Sequence, residues 1–407
     1  MFFMPFQILG IWLRALLTLA LLGVGAYFLV HWYNHRQIVV IDPPARIEPD
    51  ADRPGEGVRE ESRSHVESWE FGWNRETAFL VGGLALAGWL LGGGWVLPRF
   101  LPRAKTDDPH TPRDGAIQTI RRDDGTELHV EIYGPANGTT IVLTHGWGLD
   151  GDEWTYARKR MATRYRLIVW DLPGLGKSKG PANKDWSVEK MARDLDAVVG
   201  LAGDRPVILL GHSIGGMIVL TYCRLFPAAL GPRVRGVVIA HSTYTNPAKT
   251  TSSPRLHTAL QKPILEPLCH LMVWLSPLVR LMNLLSYLDG SAHRSTDKSS
   301  FSGHESRDQL DFIARYMLVA SPAVLARGML GMFRYDATAT LATIPIPALI
   351  VTGDRDETCT PEASAFMSRT IPNAKLVTLQ DSRHCGLFEH HEVFHAAVEE
   401  FVAGCEK

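Results

Sequence analysis

A largely parallel α/β sheet with helices on both faces, preceded by two membrane-length helices, is the fold class this sequence predicts. Three observations predict it. Short apolar runs alternate with helical stretches after residue 140, a Gly-x-Ser-x-Gly turn joins one such run to the next helix, and two long apolar runs precede residue 98. With 407 residues, 45% of them hydrophobic, the chain can build one large domain and additional elements.

The first apolar run, residues 6–33, is interrupted only by Gln7, Arg14 and His31. It lacks the basic start, short apolar core and small-residue cleavage site of a secretory signal. The second, Ala78 to Leu97, holds 20 residues without a charge or amide, about 30 Å of helix and enough to cross a hydrocarbon core. Its six glycines and its flanks of Trp73, Trp95 and Arg99 are membrane habits. Gly88 and Gly92 are expected to bring the two helices together. Residues 34–76 carry six arginines against ten acidic residues, with Pro43-Pro44 and Pro54-Gly55, and are expected to form a solvated, irregular loop. Arg99, Arg103 and Lys105 follow the second span before any acidic residue, so the positive-inside rule puts the C-terminal domain in the cytoplasm of a two-span membrane protein. Residues 98–113, with four prolines, read as a linker.

The folded domain should begin near Asp114. Ile117 to Arg122 and Glu127 to Tyr133 alternate around Asp124-Gly125, as an antiparallel hairpin does. Then come Thr140 to Thr144, Arg166 to Trp170, Val207 to Leu210, Gly236 to Ala240, Ala348 to Thr352 and Lys375 to Leu379, mostly continuous apolar runs that suit strands buried on both faces. Between Ser242 and Tyr335 no strand-like run occurs. Residues 243–335 are therefore expected to be a helical lid over the C-terminal edge of the sheet, with intensely apolar Pro263 to Leu288 able to meet a membrane interface.

The five cysteines, all after residue 220, form no disulfide framework or metal pattern. A net charge of −1 gives nucleic acid no electrostatic handle, and nothing in the composition fixes an oligomeric state.

The chemistry centres on Gly211-His-Ser-Ile-Gly215, between the run ending at Leu210 and a helix-like stretch to Phe226. A serine presented at such a sharp strand-to-helix turn is a nucleophile elbow. Downstream lie Gly353-Asp354-Arg355-Asp356, ending one strand, and His384, on a loop after the last strand. Upstream, His145-Gly146-Trp147-Gly148 follows a strand, and Asp171 to Ser178 reads Asp-Leu-Pro-Gly-Leu-Gly-Lys-Ser, whose glycine spacing is wrong for a phosphate loop. With these motifs the chain from about Asp114 resembles the α/β-hydrolase superfamily, serine esterases and lipases included.

The resemblance implies Ser213 as nucleophile, His384 as general base and Asp356 as the acid that orients it, with Asp354 the competing acid. Trp147 and Ile214 supply the oxyanion-hole N–H groups, and Asp171 to Ser178 forms a structural turn without a catalytic role. No metal or cofactor is required. The expected reaction is hydrolysis of a carboxylic ester through an acyl-enzyme. Two spans and an apolar lid favour a lipophilic substrate such as a monoacylglycerol. Perhydrolase chemistry on the same triad and a non-catalytic binding protein are the alternatives. Cys359 and Cys385, near Asp356 and His384, are expected to be packing residues.

Overall fold

The computed structural model describes residues 5–35, 39–41, 46–49, 57–60, 66–68, 74–101 and 107–406. The chain divides into two compact units, residues 16–91 and the remainder.

Most of helices α1 (Pro5–His35) and α2 (Arg75–Val96) falls in the first unit, and both follow from the two long apolar runs. Leu16–His35 and Arg75–Arg99 are long and apolar enough to cross a membrane. They pack antiparallel. Gly25 lies against Leu86, Gly82 against Phe28 and Gly83 against Leu29, and the rings of Phe28 and Phe79 meet edge-on at 5.2 Å. The expected Gly88 and Gly92 contact is not formed, since neither faces an atom within 4 Å among the described residues. Small residues do let the helices approach, but at Gly25 and Gly83. The connecting segment is more regular than its composition suggests. Val39–Ile41 pairs antiparallel with Val66–Ser68, and inside that pair Arg46–Pro49 pairs with Gly57–Glu60.

The second unit holds an eight-stranded sheet: β1 (Ala116–Arg121), β2 (Glu127–Tyr133), β3 (Thr140–Thr144), β4 (Arg166–Trp170), β5 (Val207–His212), β6 (Val234–Ala240), β7 (Ala348–Gly353) and β8 (Ala374–Leu379). Their spatial order is β1-β2-β4-β3-β5-β6-β7-β8. Only β2 runs antiparallel to its neighbours. The pleat sends Leu209 and Val237 to one face and Leu210 and Val238 to the other, and both faces are dry. That is why these strands are continuously apolar.

On the first face lie α4 (Val188–Gly200), α5 (Ile214–Leu225) and α12 (Pro361–Thr370), which contribute Met191, Met217 and Met367. The second face is covered by α3 (Thr155–Met161) and α14 (His391–Cys405), through Tyr156, Phe394 and Val398, with the short α13 (Gly386–Glu389) before α14. Between β6 and β7 the insertion carries α6 (Pro254–Leu260), α7 (Glu266–Trp274), α8 (Ser276–Leu288), α9 (Ser291–Ser300), α10 (Arg307–Val319) and α11 (Pro322–Met332), joined by turns and loops. Its Phe312 and Ile313 join the second core.

The stretch read as a linker is bound to the domain at its C-terminal end. The Arg113 guanidinium bridges Glu131 at 2.9 Å and Asp171 at 3.1 Å, and the Asp107 carbonyl accepts from Ser306 Oγ at 2.9 Å.

Candidate active site

Two glycines let the chain turn between β5 and α5. A Cβ on Gly211 would overlap the backbone of Gly215, and one on Gly215 would overlap the carbonyl of Thr144. Ser213 between them has φ 54°, a conformation that L-residues seldom adopt and that costs about 1–3 kcal/mol. Its N–H donates to the Ala240 carbonyl at 2.9 Å, and its own carbonyl accepts from Ser242 Oγ at 2.5 Å. The end of β6 thus holds the turn in place.

Sequence-distant residues converge on it. His384 Nε2 lies 3.1 Å from Ser213 Oγ, and His384 Nδ1 lies 2.8 Å from Asp356 Oδ2. With Nδ1–H donating to the Asp356 carboxylate, Nε2 is free to accept from the serine hydroxyl. Asp356 Oδ1 accepts the backbone N–H groups of Thr358 at 2.8 Å and Cys359 at 3.0 Å. All three side chains are buried. Burial pulls the His384 imidazole down to about 4, against the pull of Asp356, so the ring stands neutral at neutral pH. For Asp356 burial acts upward, but the charge of His384 and hydrogen bonds from His241 and His384 hold the carboxyl well below the usual range.

The competing acid, Asp354, is exposed. It accepts the Ser382 N–H at 3.0 Å and so holds the loop that carries His384. Asp171 likewise does structural work, accepting the N–H groups of Gly151 at 2.7 Å and Lys177 at 2.8 Å, while Ser178 Oγ donates to its carbonyl.

Sequence reasoning missed two histidines. His241 follows β6, and its Nδ1 lies 3.2 Å from Asp356 Oδ2, so the acid faces two imidazoles. The ligand atoms of His241, Asp356 and His384 come within 4.8 Å of one another, a spacing that suits a metal. Here, however, both Asp356 oxygens are already engaged by imidazole and backbone nitrogens, which fits an orienting acid better than a ligand set. His212, beside Ser213, has Nδ1 2.5 Å from Glu153 Oε1 and Nε2 3.1 Å from the His384 carbonyl. A carbonyl can only accept, so in the contact with the His384 carbonyl Nε2 is the donor. Glu153 Oε2 takes the Gly146 N–H at 2.8 Å. This buried pair ties the turn at Ser213, the His384 loop and the 145–148 segment together.

The N–H groups of Trp147 and Ile214 have no acceptor among the described residues. Ile214 opens α5, where first-turn N–H groups lack partners and the helix dipole favours negative charge. Trp147 is held through its side chain. Its Nε1 donates to the Leu325 carbonyl at 3.1 Å, and its indole lies on Gly328 of α11 so closely that a Cβ there would overlap the ring. Tyr316 of α10 donates to Asp150 Oδ1 at 2.7 Å. Under these lid contacts the cavity at Ser213, lined by Trp147, Leu149, Ile313 and Cys385, measures only about 20 Å³. That is room for about one water molecule. Burial pushes the Cys385 thiol up to about 12, away from thiolate chemistry.

Residues 141–397 match the model of the alpha/beta hydrolase family. Among curated proteins, the chain is 25% identical over 280 residues to the pimeloyl-acyl-carrier-protein methyl ester esterase of Stenotrophomonas maltophilia, covering 68% of this chain and 96% of that one. Among solved structures it resembles a thermophilic esterase from Thermogutta terrifontis, with TM-score 0.56, 25% identity, 72% of this chain and 100% of that one. A bromoperoxidase from Bacillus anthracis shares the fold at TM-score 0.58 and 22% identity, covering 71% of this chain and 100% of the other. The chain belongs to the alpha/beta hydrolase family and is an esterase-type enzyme within it.

Proposed function

We propose that this protein is a membrane-anchored serine hydrolase that cleaves carboxylic esters through an acyl-enzyme. The observation that carries the reading is the buried relay from Ser213 Oγ through His384 to Asp356, with spacings of 3.1 and 2.8 Å. His384 Nε2 takes the hydroxyl proton as Ser213 Oγ bonds to the ester carbonyl carbon. The oxyanion so formed accepts from the N–H groups of Trp147 and Ile214. Collapse of the tetrahedral intermediate breaks the bond to the alcohol, which leaves with the proton from His384. Water then repeats the sequence on the acyl-enzyme, releases the carboxylic acid and restores Ser213. Asp356 fixes the tautomer of His384 and stabilises its transient positive charge.

A relative named for a methyl ester supports the choice of a carboxylic ester. Two helices able to cross a membrane support an anchor, and with the apolar lid they favour a lipophilic ester such as a monoacylglycerol. The basic flank after α2 supports a cytoplasmic hydrolase domain. A fluorophosphonate probe should label the wild type and not Ser213→Ala. An unlabelled, folded wild type overturns the serine mechanism, and rapid turnover of short soluble esters with none of long acyl chains overturns the lipid substrate.

A further inference from the structure

Helices α7 and α8 of the lid are apolar on both sides. Leu265, before α7, and Met272, Val279 and Met282 are buried against the domain, as a lid requires. Yet the opposite side exposes Ile264, Leu271, Trp274, Leu278, Leu281 and Leu284, with Trp274 78% exposed at the turn where the two helical segments bend by 94°. A helix meant for water would place polar residues there. The charges point the same way. Across residues 254–288 the arginines and lysine are Arg255, Lys262 and Arg280, all exposed. Against them stands a single acid, Glu266, which accepts from Gln261 at 2.9 Å.

This face continues into the end of α2. The backbones of Gly93 and Gly94 lie so close to residues 287–289, at the end of α8, that a Cβ on either glycine would overlap them. Trp95 and Phe100, which follow that junction, are 74% and 78% exposed. Aromatic residues at such a point, with cations beside them, fit the headgroup region of a bilayer.

We propose that the outer face of α7 and α8 is seated in the lipid leaflet at which α2 ends, with anionic headgroups against Arg255, Lys262 and Arg280, so that the ester substrate reaches Ser213 from the leaflet rather than from water. The proposal rests on the reading of α1 and α2 as membrane spans.

The test uses the full chain carrying Cys405→Ser, because the other four cysteines are buried. An environment-sensitive fluorophore is placed at Leu281→Cys or, for reference, at Lys375→Cys, an exposed position near the start of β8, at the end of the sheet away from the lid. Each protein is reconstituted in vesicles of phosphatidylcholine and phosphatidylglycerol in equal parts. Spin-labelled phosphatidylcholine should quench the label at 281 at least about threefold more than that at 375, and aqueous iodide should do the reverse. In the same vesicles, Leu278→Ser with Leu281→Ser should lower turnover of a long-chain monoacylglycerol about tenfold, with p-nitrophenyl acetate hydrolysis and fluorophosphonate labelling unchanged.

Iodide quenching at 281 overturns the proposal. So does protection from both quenchers, which would put a second copy of the chain on this face. Alkaline carbonate reads the spans separately. Resistance to extraction with a water-quenched label overturns the lid proposal alone, whereas release from the vesicles overturns the anchor as well.

Discussion

Gly328→Ala tests whether the lid positions the oxyanion hole, by a change that touches no member of the triad. The new methyl group would overlap the Trp147 ring, which is buried and anchored by its bond to the Leu325 carbonyl. The ring has little room to yield, since Trp186 packs edge-on against it at 6.5 Å. Restoring ordinary contact requires α11 and Trp147 to separate by on the order of 1 Å, and a misplacement of that size can cost about 10²-fold in rate. That corresponds to about 2.7 kcal/mol of transition-state stabilisation, close to the loss of one oxyanion donor. Stability should change far less. Alanine in a helix interior gains about 1 kcal/mol over glycine, which offsets part of an overpacking cost of about 1–3 kcal/mol. The assay is kcat on p-nitrophenyl acetate alongside a thermal melt. Gly200→Ala is the control, because a Cβ at that helical position meets nothing within 4 Å. A Gly328→Ala enzyme with kcat within about twofold of wild type would refute the argument that Trp147 is a donor set in place by the lid.

Two further outcomes follow from the buried histidines. Burial holds His384 and His395 near 4 rather than 6.5, so the folded state binds fewer protons than the unfolded state between those values. Stability should therefore be full above pH 6.5 and decline as pH falls toward 4, by about 2 kcal/mol per histidine at pH 5. Urea unfolding at pH 7.5 and 5 measures this, and kcat/KM for a soluble ester should keep its plateau down to about pH 5 instead of halving near 6.5. At the second buried pair, Glu153→Gln can still accept from Gly146 and donate to His212 Nδ1, so it should retain most activity. Glu153→Ala should lose at least about tenfold in kcat and about 3 kcal/mol of stability on the same assays. Equal losses in the two variants would mean that charge rather than hydrogen bonding holds the 145–148 segment.

The parts of this molecule that were legible in sequence are those with a local physical cause. Strands β3 to β7 are buried on both faces, so each had to be an apolar run, and the turn at Ser213 needs glycines two residues away on either side. Asp356 and His384 stand at strand ends, where the order of the chain is informative. What escaped was set by packing across the sheet. His241 reaches Asp356 because β6 lies beside β7, and no spacing along the chain encodes that neighbour relation. Glu153, in the turn Gly151–Trp154 before α3, meets His212 at the end of β5 in the same way. The contact between α1 and α2 needed glycines, and both helices hold several. The rotation of each helix about its own axis selects Gly25 and Gly83, and that phase is settled by how Phe28 and Leu29 fill the seam.

The closed cavity and the apolar outer face of the lid have one energetic consequence when taken together. A space of about 20 Å³ cannot admit an acyl chain, so turnover requires the lid to move. In water, exposing Leu265, Met272, Val279 and Met282 would cost about 1.5–3 kcal/mol each, or roughly 6–12 kcal/mol for the four. An open state that costly would be populated too rarely to turn over a long-chain ester in water. In a leaflet the penalty largely disappears, because hydrocarbon replaces the lost protein contacts. The same outer residues that are costly to display in water would keep the lid beside that hydrocarbon. Burying the catalytic site so deeply is therefore compatible with activity when the lid opens against lipid, and the location of the enzyme would then control its access to substrate.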